Sequence, residues 1–186
     1  MPDVRPHAQH MYHHYRITKY DPRFRTRDGA YTRDEWTFFA QVGTRVTGST
    51  LTMAEYVRVE SLYVSALNAL LREAGVSRLE VRGLCLPKRL PASLSVWRRR
   101  HVIGITHALA FAQLCLRERI WGQLVAPRRA YVHFDWDYYM YVGLSRRTPH
   151  AIDFIRSSGL FVESFRSPER SLPAAAHRRG SEKRSQ

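Results

Sequence analysis

Between residues 15 and 166 the hydrophobic positions switch repeatedly between a period of two and a period of three to four. Residues 15–20 (Tyr-Arg-Ile-Thr-Lys-Tyr) alternate apolar and polar side chains among β-formers and predict a strand. Asp21-Pro22 and Asp28-Gly29 then bracket a basic loop with two turn signals. Thr32 and Glu35 have capping-box spacing and predict one short helical turn over 32–36, whose positive end Asp34 and Glu35 would favour. The clearest helix is predicted over 52–74. Thr52 caps it, Gly75 stops it, and Tyr56, Val59, Tyr63, Leu67 and Leu70 share one face, with Glu60, Asn68 and Arg72 on a polar side.

Residues 76–86 set Leu79, Val81 and Cys85 against Arg78, Glu80 and Arg82, which predicts a second strand ended by Pro87. Residues 93–124 read as helical but interrupted at Gly104, with Ile105, Leu109, Ala112 and Leu116 at helical spacing. Two β-runs, 131–134 and 137–144, flank Asp135-Trp136 as a hairpin. A short helix over 149–158 stops at Gly159, and a last strand covers 160–165. The order predicts an α+β fold: a mostly antiparallel sheet with two main helices and one short helix packed on it. Residues 1–14 and the basic tail 167–186 lack periodicity and are expected to be flexible and disordered, leaving 15–166 as one domain. Met11 is an alternative to Met1 as the biological start.

Composition sharpens this outline. The chain has 186 residues, 44% hydrophobic and 12% aromatic, values that exclude a wholly disordered or collagen-like class. Its two cysteines exclude a disulfide framework and a four-cysteine zinc site. Both sit in apolar runs and are expected as reduced, buried core residues. No apolar leader opens the sequence, and the longest apolar stretch, 102–116, is shorter than the roughly 18–20 residues a membrane helix needs. A cytoplasmic protein with no membrane partner is expected. Thirty Lys and Arg face 16 Asp and Glu, for a formal charge of +14, and the lysines are only Lys19, Lys88 and Lys183. Most of the excess falls on the folded part, where an arginine face would attract phosphate or an acidic protein. A solvated, codon-driven arginine surface explains the same count.

Five strings follow one another in order: Tyr15-Arg-Ile-Thr-Lys-Tyr-Asp-Pro, Asp34-Glu-Trp-Thr, Leu116-Arg-Glu-Arg-Ile-Trp, His133-Phe-Asp-Trp-Asp-Tyr-Tyr-Met-Tyr-Val-Gly and Ser158-Gly-Leu-Phe-Val-Glu-Ser-Phe-Arg-Ser-Pro. Together they resemble a mostly uncharacterised family of small bacterial proteins. The resemblance spans about residues 15–168 and fades between 86 and 105. It implies a link to polymorphic-toxin immunity and carries no catalytic residue with it. The Arg98-Arg99-Arg100 insert and the basic tail depart from the family pattern.

Candidate chemistry is sparse. His133, Asp135 and Asp137 have alternating spacing that would gather an imidazole and two carboxylates on one strand face, but a turn at Asp135-Trp136 would separate them. Trp36, Trp136, Tyr139 and Tyr141 are candidate protein-binding anchors, with Tyr139 and Tyr141 on one face and Tyr138, Met140 and Val142 on the other. Cross-strand aromatic packing explains the same tyrosines. Arg98, Arg99 and Arg100, with Trp97 near them, are candidates for gripping phosphate or an acidic partner, and Arg128, Arg129, Arg146 and Arg147 bracket the hairpin and would extend that patch. No nucleotide-binding, zinc-protease or serine-hydrolase motif is present, and no metal or cofactor is expected. The sequence therefore points to a non-enzymatic interaction module, and the resemblance implies that it is an immunity protein occluding a cognate toxin encoded nearby. The alternative is a nucleic-acid-binding accessory protein using its arginine face.

Overall fold

A computed structural model describes residues 12–46, 48–86, 97, 102–135 and 137–167. Strand β1 (His13–Thr18) is followed by a two-strand ribbon, β2 (Arg45–Val46) and β3 (Ser49–Thr50), and by helix α1 (Met53–Glu73). Strands β4 (Arg78–Cys85) and β5 (Val102–Gly104) precede helix α2 (Ile105–Leu116). Then come β6 (Trp121–Ala126), β7 (Ala130–Phe134), β8 (Met140–Leu144), helix α3 (Pro149–Ser157) and β9 (Phe161–Ser164). Seven strands form one sheet in the order β5-β4-β6-β7-β8-β1-β9, with every neighbour antiparallel. The fold is α+β, with three helices and a mostly antiparallel sheet.

Local chemistry explains the elements. The Thr52 hydroxyl accepts the Glu55 N–H at 3.1 Å, satisfying one of the unbonded donors at the start of α1. The stripe Tyr56, Val59, Tyr63, Ala66, Leu67 and Leu70 is buried. It packs with Phe111 of α2 and Ile152 and Ile155 of α3 against Ile17, Leu79, Val81, Leu124, Val132, Met140, Val142 and Leu144 of the sheet. All the helices therefore cover one face, and each wholly buried leucine there contributes roughly 1.5–3 kcal/mol.

Several expectations need correction. Residues 32–36 form no helical turn; the short turns fall instead at Pro22–Phe24 and Phe39–Gln41. The helical reading of 93–124 gives way to strands on both sides of α2. Glu118 adopts a positive φ of 55° just past the helix, and in β6 Gly122, Leu124 and Ala126 face inward while Trp121, Gln123 and Val125 are half-buried, a period of two. Glu60 is not on a polar side of α1: it is 1% exposed and holds Arg117 through two bonds of 2.6 and 2.7 Å. Cys115 is buried as expected, but Cys85 is exposed. The β4–β6 register shifts between Arg82 and Cys85, where Gly83 has φ 61°, and this bulge throws Cys85 out of phase with Leu79 and Val81. Strand β8 starts at Met140 rather than 137, so Asp137 lies in the loop. His13 and His14, expected in the flexible N-terminal segment, pair in β1. The rest of that segment up to residue 11, the tail from 168, Trp136 and Arg98, Arg99 and Arg100 lie outside the described residues. Among the described residues no helix is long and apolar enough to cross a membrane.

Candidate functional site

The sheet face turned away from the helices carries a polar row. Registers place Arg82, Gln123, His133, Tyr141, Arg16 and Glu163 directly opposite one another across successive strands. Its middle is closed by the protein itself. Arg16 meets Glu163 through Nε at 2.7 Å and Nη2 at 3.1 Å, and Arg25 reaches the same carboxylate through Nε at 2.9 Å. Arg25 also donates to the Tyr139 hydroxyl at 3.1 Å. The Phe165 ring lies 4.1 Å from the Arg16 guanidinium, and the Ser167 hydroxyl hydrogen-bonds His133 Nε2. Burial works against the Arg16 charge, yet the Glu163 carboxylate holds its pKa above the ordinary value. One carboxylate shared by two guanidiniums is a satisfied network, which stiffens the face and leaves little capacity for a ligand.

This closure corrects the aromatic anchors. Tyr139 and Tyr141 do lie on the face opposite Tyr138, Met140 and Val142, but they are only 9% and 4% exposed. Tyr20 covers Tyr139, and His133 stacks on Tyr141 with centroids 4.9 Å apart. Burial pushes the Tyr141 phenol up to about 12, with the Asp135 carboxylate adding to the shift. Trp97 is also unavailable for stacking on a base, being buried against Phe111. His133 is buried, Asp135 half-buried and Asp137 exposed. Among the described residues no three His, Cys, Asp or Glu side chains gather as a metal site.

Trp36 behaves differently. It packs its ring against Tyr56 and Tyr138 and separates two clefts, about 320 and 330 Å³, both also lined by Glu35 and Glu55. Lys19 Nζ lies 4.1 Å from the Tyr20 ring centre and 4.4 Å from that of Trp36, and pairs with Glu35 at 2.8 Å. Burial pulls the Lys19 pKa below its ordinary value, with Glu35 opposing. Asp34 and Glu35 therefore do not serve a helix end; Glu35 holds Lys19 and the Tyr31 hydroxyl.

The arginines that bracket the hairpin do meet. Arg128 and Arg129 lie in the turn between β6 and β7, and Arg146 and Arg147 leave β8 at the same end of the sheet. The Ser145 N–H donates to the Arg129 carbonyl at 2.9 Å, tying the two segments together. Arg129 also donates to the Gly75 carbonyl, which brings this end beside the exit from α1. All four side chains are exposed, and among the described residues none has a carboxylate within ion-pair distance. Beside them Tyr12, His14 and Tyr131 form a half-exposed aromatic cluster, with His14 Nδ1 2.7 Å from the Tyr131 hydroxyl. An open cleft of about 400 Å³ adjoins this end, lined among others by His13, His14, Arg147 and Arg156. Sequence reasoning missed Arg16, Glu163 and Arg25, and also missed His13 and Arg156. The alternations Arg16-x-Thr18 and Arg78-x-Glu80-x-Arg82 were local signals for a polar sheet face.

No family model, curated protein or solved structure matches this chain.

Proposed function

We propose that the protein is a non-enzymatic binding module whose partner is nucleic acid, held as a single strand against the arginine end of the sheet. The observation that carries this reading is the meeting of Arg128 and Arg129 with Arg146 and Arg147, without carboxylate partners among the described residues, next to Tyr12, His14 and Tyr131. Guanidiniums grip phosphate in two-pronged fashion, and aromatic faces accept any base. A formal charge of +14 adds long-range attraction for a polyanion.

A second reading, occlusion of an acidic protein such as a toxin encoded nearby, draws on Trp36 and its two clefts. An aromatic side chain set between pockets suits a protein contact. It fits less well with the charge, because inhibitors of nucleic-acid-cleaving toxins need acidic surfaces to match basic active clefts.

One experiment separates the two. Binding of a fluorescent single-stranded oligonucleotide is measured at low and moderate salt, beside a pull-down with the product of the adjacent gene. Salt-sensitive oligonucleotide binding supports the first reading. A stoichiometric protein complex that persists in salt, with no oligonucleotide binding, overturns it in favour of the second.

A further inference from the structure

We propose that the cleft between β1, β9 and α3 is a phosphate-monoester subsite that receives the terminal phosphate of the bound strand. This rests on the nucleic-acid reading above for the strand, though not for the phosphate chemistry. The cleft, about 400 Å³, falls in the range of roughly 300–1,000 Å³ that holds small ligands. Its charged lining is Arg147 and Arg156 against the single carboxylate of Asp153, with His13 beside them, while the His14 imidazole turns to the other face of β1 and bonds Tyr131. Arg156 follows Asp153 by three residues and Pro149 by seven, so all three lie on the α3 face that borders the cleft.

The positive field comes from these side chains and not from the helix end. The His150 and Ala151 N–H groups already donate to Glu73, at 3.3 and 2.6 Å. Two aliphatic hydroxyl residues, Ser164 and Thr148, also line the cleft, beside Tyr15. Ser164 is exposed, whereas Thr148 is 1% exposed and its hydroxyl has no hydrogen-bond partner among the described residues. A buried hydroxyl without a partner is unusual enough to call for an explanation, and a ligand oxygen supplies one.

Charge then selects the ligand. A monoester carries about −1.5 to −2 charges and three terminal oxygens, while each internal diester carries about −1. A site with two guanidiniums against one carboxylate therefore favours a strand end over a strand middle. Arg147 belongs to both the cleft and the arginine end, so a strand lying along one places its terminus in the other.

The test uses the full chain and one oligonucleotide sequence in three forms: 5′-phosphorylated, 3′-phosphorylated, and hydroxyl at both ends. A phosphorylated form is expected to bind about tenfold tighter than the hydroxyl form, the worth of one or two charge-assisted bonds. Arg156→Ala should abolish that preference and leave the hydroxyl form unaffected. Asp153→Asn should increase it, a gain that misfolding cannot produce. Replacing Arg128 and Arg146 together with alanine should weaken all three forms alike. Equal affinity of the wild type for all three overturns the subsite and leaves the nucleic-acid reading standing. Failure to bind any oligonucleotide, with a nucleoside monophosphate still bound and lost in Arg156→Ala, overturns that reading and sustains the monoester site. Binding of neither overturns both.

Discussion

The Tyr131 ring of β7 lies flat across Gly143 of β8, its direct register partner, where any β-carbon would overlap the ring. The hydroxyl then reaches His14 on β1, beyond the glycine, so one side chain ties three strands together. A glycine in a central strand weakens the ladder, and an aromatic neighbour laid over it restores the lost packing. Gly143→Ala should therefore cost about 1–3 kcal/mol of unfolding free energy in urea, as overpacking does. Tyr131→Ala should be destabilising alone but should relieve much of that cost in the double variant. Strict additivity of the two substitutions would show that the overlap does not govern the pair.

A second coupled pair lies between α1 and the end of α2. Glu60 is almost wholly buried, whereas the Arg117 side chain that holds it is 39% exposed. Removing the arginine strands a carboxylate without its cation, so Arg117→Ala should cost about 3 kcal/mol, near the lower end for broken buried pairs. Replacing both residues with leucine should cost clearly less than Arg117→Ala. Urea unfolding of the two variants checks this, and a double variant as unstable as the single would refute the assignment.

Glu60 also shows where sequence patterning runs out. The α1 stripe was legible because Thr52, Gly75 and the apolar spacing agree on one helix and one buried face. Glu60 lies beside Tyr56 and Val59, so position alone puts it at the margin, and only a partner 57 residues away decides that it is buried. The same holds for the site. The hairpin strands and the sidedness of Tyr138 to Tyr141 followed from alternation. Alternation says which face a side chain occupies, not what covers that face. Arg16, Arg25 and Phe165 come from distant segments to cover Tyr139 and Tyr141. The four hairpin arginines, by contrast, were legible as a group because a β-turn and the end of its partner strand must lie side by side in an antiparallel sheet.

The buried phenols set the alkaline limit of the fold. Burial raises Tyr20, Tyr56, Tyr63 and Tyr138 above their ordinary values and Tyr141 to about 12. A group whose folded pKa is raised stabilises fully below the unfolded value, about 10 for tyrosine, and loses that contribution as pH climbs to the folded one. Lys19 works in the opposite direction. Its pKa is lowered, so the unfolded chain binds more protons just below the ordinary lysine value and stability rises with pH there. The five tyrosines outweigh one lysine, and stability should fall steeply above about pH 10. Phenolate absorbance and loss of the helical circular-dichroism signal should rise together. Complete phenolate titration near pH 10 with the helical signal intact would contradict the burial.

The arginine end makes a quantitative demand on nucleic-acid binding. Each phosphate contact releases condensed counterions, so the logarithm of affinity falls with the logarithm of salt by about 0.7 per contact on a single strand. Arg128 and Arg146 have no carboxylate partners among the described residues, and their loss leaves no buried charge behind. Replacing both with alanine should leave the melting temperature nearly unchanged, as for ordinary surface positions. It should also lower the salt slope by about 1.4 if each grips one phosphate. Arg23, ion-paired with Asp21 at 2.6 Å on the loop after β1, provides the control: Arg23→Ala removes half as much charge, from a compensated position. Its slope should match the wild type, because a guanidinium already neutralised by a neighbour has few counterions to release. A loss of slope in Arg23→Ala half that of the double variant would mean that net charge alone draws the strand, and that the meeting of the two arginine pairs at one end of the sheet contributes nothing of its own.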